Sequence, residues 1–75
     1  MVRNLAEIQV EVKVWGQPES KVVKLSQGSS ILDLLEKLGQ NPQVVAVKLN
    51  GRIVPEQEKL ADGDQVELIP VVTGG

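Results

Sequence analysis

Between Ser30 and Gly39 lies a segment whose start, end and buried face are all written in the sequence. Ser30 can accept a hydrogen bond from the N–H three residues on. Asp33 stands where its carboxylate reaches back to the Ser30 N–H, the S-x-x-D form of a capping box. Ile31, Leu34, Leu35 and Leu38 recur at the i, i+3, i+4, i+7 spacing of one helix face. Lys37 suits the last turn, and Gly39 supplies the left-handed residue that closes the helix. A short amphipathic helix of about two to three turns is therefore predicted. Its apolar stripe could in principle meet a membrane or a partner helix. The segments around it read as strands, so packing on a sheet is the expected solution.

Ala6 to Trp15 alternates, with Ile8, Val10, Val12 and Val14 on one side and Glu7, Gln9, Glu11 and Lys13 on the other. A period of two with β-branched residues inward is a half-buried strand. Gly16-Gln17-Pro18-Glu19-Ser20 is turn chemistry, and Lys21 to Leu25 is a second strand expected at a sheet edge, where lysine is favoured. After the helix, Val44 to Leu49 forms a third strand with Val45, Val47 and Leu49 inward. Asn50-Gly51 is a strong hairpin signal and returns the chain through Arg52-Ile53-Val54, which Pro55 stops early. Leu60 plugs the core from an irregular stretch. Asp62-Gly63-Asp64 turns into a last strand with Val66, Leu68 and Pro70 on the inner face and Glu67 and Ile69 outside. The order is strand, strand, helix, strand, short strand, strand. It predicts an α+β domain of β-grasp type, a mixed sheet of four to five strands with one helix across one face. The first and last strands are expected as central parallel neighbours. Residues 1–70 are assigned to this body and 71–75 to a flexible tail.

What the chain lacks narrows its chemistry. It contains no Cys and no His, which removes the commonest ligands for zinc, iron–sulfur clusters and haem. The same absence removes the usual nucleophiles and general bases, so no catalytic residue of its own is expected. Glu56, Glu58, Asp62 and Asp64 lack the spacing of a calcium loop and read as solvated surface; no metal site is predicted. A net charge of −2 with no basic face argues against nucleic acid. No apolar run is long enough for a membrane helix, and the N-terminus lacks a signal-peptide core. A cysteine-free domain of this kind is expected in the cytoplasm.

The sequence ends Val71-Val72-Thr73-Gly74-Gly75. The run V-A-V-K-L-N-G-R-I-V-P from Val45, followed by D-G-D-Q-V-E-L-I-P-V-V-T-G-G, resembles the ubiquitin-like sulfur carriers of the ThiS/MoaD family. The helix at Ser30 to Leu38 sits at the family's position. The N-G-x-I-V-P segment leans toward ThiS, whereas Thr73 stands where relatives commonly carry Ala, Gly or Ser. The resemblance implies that a ubiquitin-activating-type enzyme adenylates the Gly75 carboxylate, using ATP and Mg held by that enzyme and not by this chain. A sulfur donor then converts the adenylate to a thiocarboxylate. It also implies delivery of the sulfur to thiazole synthase for thiamine, or to the molybdopterin synthase large subunit. Gly74 is the implied unobstructive neighbour and Thr73 the residue leading in. Two alternatives stay open: a protein modifier joined to lysines through Gly75, and a non-catalytic β-grasp binding module with an incidental diglycine.

The outward residues Val44, Ala46, Ile69 and Val71 are expected to cluster on the uncovered sheet face beside the tail and to form a partner-binding patch. Lys48, Arg52 and Glu67 would orient docking there. Trp15, the single aromatic residue, is expected to fill the rim of the core.

Overall fold

The computed structural model describes residues 7–71. Strand β1 (Glu7–Val14) buries Ile8, Val10 and Val12 and exposes the residues between them. Strand β2 (Ser20–Ser26) returns antiparallel, with Ile8 opposite Leu25 and Val10 opposite Val23, so the apolar rows of both strands share one face. Trp15 departs from the expectation. It is 63% exposed and fills no part of the core rim. The cause is parity: Trp15 continues the outward phase of Glu11 and Lys13. The turn closed by the Gln17 N–H on Val14 O then carries the chain away from the core.

Helix α1 (Ile31–Leu38) has the caps its sequence encodes. The Asp33 N–H donates to Ser30 Oγ at 3.3 Å, and the Ser30 N–H donates to Asp33 Oδ2 at 2.9 Å. That backbone hydrogen bond, followed by one from the Ser30 hydroxyl, holds the Asp33 carboxyl below its ordinary 3.8. The two preceding helical N–H groups find carbonyls outside the helix. Ile31 donates to Glu58 O at 2.8 Å and Leu32 to Glu56 O at 2.9 Å. The irregular 55–61 stretch thus satisfies donors that every helix start leaves open. It also buries Leu60. Gly39 closes the helix at φ 73°, a conformation that would strain a side chain. Ile31 and Leu34 are completely buried, and Leu35 nearly so, against the sheet; Leu38 packs at its rim.

Strand β3 (Val45–Leu49) and strand β4 (Arg52–Val54) are joined by Asn50 at φ 51° and Gly51 at φ 89°. Two successive left-handed residues match the twist of the flanking strands. Strand β5 (Gln65–Pro70) completes a five-stranded sheet of order β2-β1-β5-β3-β4. β5 runs parallel to β1 and antiparallel to β3, which places the last strand at the centre. This is a β-grasp fold, with α1 covering one face and the other left open.

Candidate functional site

The C-terminal end of β5 is held by two ladders of alternating sense. The Glu11 N–H donates to Asp64 O and the Trp15 N–H to Leu68 O, so even-numbered residues of β5 turn their backbone toward β1. The Asn50 N–H donates to Gln65 O and the Val71 N–H to Val44 O, so odd-numbered residues turn toward the β3–β4 hairpin. Pro70 is even, and β1 has already ended when the chain reaches it. A central strand ordinarily excludes proline because the ring removes a ladder donor. Here the missing N–H points where no strand runs. Pro70 keeps the inner parity expected for it but is exposed, because it lies past the part of the sheet that the helix covers. Val71, assigned to the tail, remains bonded to Val44 O at 2.8 Å. Thr73, Gly74 and Gly75 lie outside the described residues.

The start of β5 is pinned by a side-chain lock. Asn50 Oδ1 accepts from the Gln65 N–H at 2.9 Å, and Asn50 Nδ2 donates to Asp64 Oδ1 at 3.0 Å. Asp64 Oδ2 accepts from the Ala61 N–H at 2.7 Å, and Asp62 Oδ1 accepts from the Gln9 N–H at 2.8 Å. The two acidic residues of the D-G-D turn therefore tie the loop, β1 and the β3–β4 hairpin together. Among the described residues no group of three His, Cys, Asp or Glu side chains could hold a metal ion.

On the open face, register places Ala46 opposite Ile69, and the Val44–Val71 hydrogen bond sets those two beside them. Val44 and Val71 are 44% and 43% exposed, while Ala46 and Ile69 are half-buried. The next row is charged: Lys13 stands opposite Glu67, Glu67 opposite Lys48, and Lys48 opposite the exposed Ile53. Alternating signs across neighbouring strands are mutually favourable. Arg52 does not belong here. It pairs with the buried Leu49 and so projects on the helix side of the sheet, one residue out of phase with Lys48. Trp15 does belong. One step beyond the Val14–Leu68 pairing it falls beside Ile69 and extends the apolar area across β1. Its sequence signal was its outward parity, which could be counted from Glu11.

Taken together, the mixed sheet with a single covering helix and a central last strand defines a ubiquitin-like β-grasp protein. The ThiS family model matches residues 7–75, and the chain belongs to the ThiS family, whose sulfur carriers are small carrier proteins rather than enzymes. A curated relative, the sulfur carrier protein ThiS of Escherichia coli (strain K12), is 34% identical over 73% of this chain and 89% of its own. Among solved structures, the HVO 2177 protein of Haloferax volcanii superposes with a TM-score of 0.77 at 22% identity, covering 100% of this chain and 93% of that one. A chain of the protein–protein complex of subunits 1 and 2 of the molybdopterin-converting factor from Helicobacter pylori 26695 gives 0.61 at 25% identity, with 91% of this chain and 100% of that one covered. No helix among the described residues is long and apolar enough to cross a membrane.

Proposed function

We propose that this protein carries sulfur as a thiocarboxylate on Gly75, loaded by a ubiquitin-activating-type enzyme and delivered to thiazole or molybdopterin synthesis. The observation that carries this reading is the anchoring of β5. The strand feeding the diglycine is held on both sides as far as Leu68 and on one side as far as Val71. Four residues follow, spanning at most roughly 13–14 Å when extended. That is long enough to enter a recessed site while the body stays docked through Val44, Ala46, Ile69, Val71 and Trp15.

The chemistry accounts for the residue types. A free α-carboxyl has a pKa of roughly 3.3–3.7, so at neutral pH it is an anion and a poor electrophile. Attack of that carboxylate on the α-phosphorus of ATP releases pyrophosphate and leaves a mixed anhydride. A sulfide equivalent from the donor then adds to the activated carbonyl, and AMP departs with the C–O electron pair. ATP, its Mg and the sulfur donor all belong to partners. Glycine at positions 74 and 75 presents no side chain to a narrow channel. The similar chain solved within a two-subunit molybdopterin-converting complex supports a synthase subunit as the acceptor, and the identity to ThiS supports thiazole synthase equally.

Protein recovered from cells should be digested and its C-terminal peptide examined. A thiocarboxylate at Gly75 supports the carrier. Peptides branched through Gly75 onto lysine would instead establish a modifier. An unmodified carboxylate in cells actively making thiamine and molybdenum cofactor would refute both.

A further inference from the structure

The free edge of β2 lies two strands away from Ile69 on β5, with only the Trp15 end of the open-face patch nearer, and carries a different pattern. β1 directs its odd-numbered residues toward β5, since the Glu11 and Trp15 N–H groups bond there. Its even-numbered residues, Ile8, Val10 and Val12, therefore bond to β2 through their partners Leu25, Val23 and Lys21. The N–H and C=O of Val22 and Lys24 consequently point away from the sheet, and β2 has no neighbour on that side. Beside these groups runs a shallow groove lined by Lys21, Val22, Val23, Lys24, Lys37 and Leu38. Val22 is 61% exposed. Lys24 lies on the open face of the sheet, while Lys21, opposite the buried Val12, and Lys37 on α1 lie on the helix side. The edge is thus flanked by ammonium groups on both faces, with an aliphatic floor between them.

We propose that this edge accepts an extended acidic segment of another polypeptide, which adds as a sixth strand along β2. Main-chain hydrogen bonds to Val22 and Lys24 supply the pairing, an aliphatic residue covers Val22, and Asp or Glu side chains meet Lys21, Lys24 and Lys37. A second copy of this chain is a poor occupant. Edge-to-edge pairing would bring the lysines of both copies together, which is how natural edges avoid self-association. Two strand spacings of about 4.8 Å separate β2 from β5, so an edge-bound partner leaves the patch around Ile69 uncovered. The protein then has two docking surfaces that can be occupied together.

The test uses the isotope-labelled full chain and a synthetic peptide with a short Val/Ile run followed by Asp and Glu residues. A matching peptide has the acids replaced by lysine. Saturable amide shifts and slowed exchange at Val22 and Lys24 with the acidic peptide alone are expected. Reversal of charge in Lys21→Glu/Lys24→Glu should weaken binding at least about tenfold. Val22→Pro, which removes an outward N–H without touching the β1 ladder, should weaken it while the far-ultraviolet spectrum stays native; Lys24→Ala provides a milder variant should the reversal fail to fold. Equal binding of the lysine peptide, shifts centred on Ile69 and Val44, or no saturable shift at millimolar peptide would each overturn the proposal.

Discussion

Replacing Asn50 with alanine should destabilise the fold by roughly 2.5–3 kcal/mol, built from three losses. The hydrogen bond from the Gln65 N–H to Asn50 Oδ1 (2.9 Å) is neutral, worth about 1 kcal/mol. The bond from Asn50 Nδ2 to the Asp64 carboxylate (3.0 Å) is charge-assisted, but it lies at the surface, so about 0.5–1 kcal/mol is appropriate. Alanine must also adopt φ 51°, which asparagine tolerates better, at a cost of about 1 kcal/mol. A 75-residue domain holds roughly 4–11 kcal/mol in total, so the loss is a large share. The unfolding midpoint should fall by roughly 10–20 °C. Far-ultraviolet circular dichroism is the right probe, because Trp15 is already 63% exposed and its fluorescence will change little on unfolding. Asn50→Gly relieves the backbone strain and loses only the two hydrogen bonds, so it should fall between wild type and alanine. Asn50→Asp keeps the acceptor for Gln65 but sets a carboxylate against Asp64, and its deficit should shrink as salt is raised. Asn50→Gly as stable as wild type, or Asn50→Ala no worse than glycine, would refute the lock.

Leu34→Ala removes a completely buried side chain from α1 and should cost about 3–5 kcal/mol, enough to leave much of the protein unfolded in urea titrations at modest concentration. Ser30→Ala deletes the hydroxyl that caps the Asp33 N–H and should lower stability by about 1 kcal/mol in the same assay. The folded Asp33 carboxyl titrates below its ordinary 3.8, so its contribution to stability is present above that value and lost as the pH falls through the depressed one. A side-chain NMR titration should place its midpoint under 3.8, and a midpoint at or above it contradicts the capping geometry. Trp15→Ala should change stability by less than about 0.5 kcal/mol yet raise the concentration needed for half-maximal loading by an activating enzyme, because the exposed indole buries little on folding and lies on the proposed docking face.

Local signals carried most of the fold. The Ser30–Asp33 box, the Gly39 cap and the Asn50-Gly51 turn each depend on residues within a few positions of one another, and the structure reproduces them. Strand phase was equally legible, because one buried face forces the alternation seen at Ile8, Val10 and Val12. What stayed hidden depends on where strands stop. Pro70 follows the expected parity but lies beyond the covered part of the sheet, and hydrophobicity alone does not reveal that limit, whereas the outward phase of Trp15 could be counted from Glu11 and was overridden by its apolar character. Arg52 sits close to Lys48 in sequence yet on the opposite face, because a two-residue turn sets it against Leu49. The Asn50–Asp64 contact joins two motifs that each read separately as a turn. Its significance emerges only when β3 and β5 are neighbours. Thr73, Gly74 and Gly75 derive their proposed role from sequence and resemblance, while the patch residues derive theirs from position on the open face.

The central claim concerns a single functional group, the Gly75 carboxylate. Its most direct test is the intact mass of the full chain after incubation with an activating enzyme, ATP–Mg and a sulfur donor. Exchange of one terminal oxygen for one sulfur is expected, dependent on ATP and abolished when an extra residue is appended after Gly75. A mass that never changes with any cognate activating enzyme, or a sulfur found on the extended chain, would contradict it.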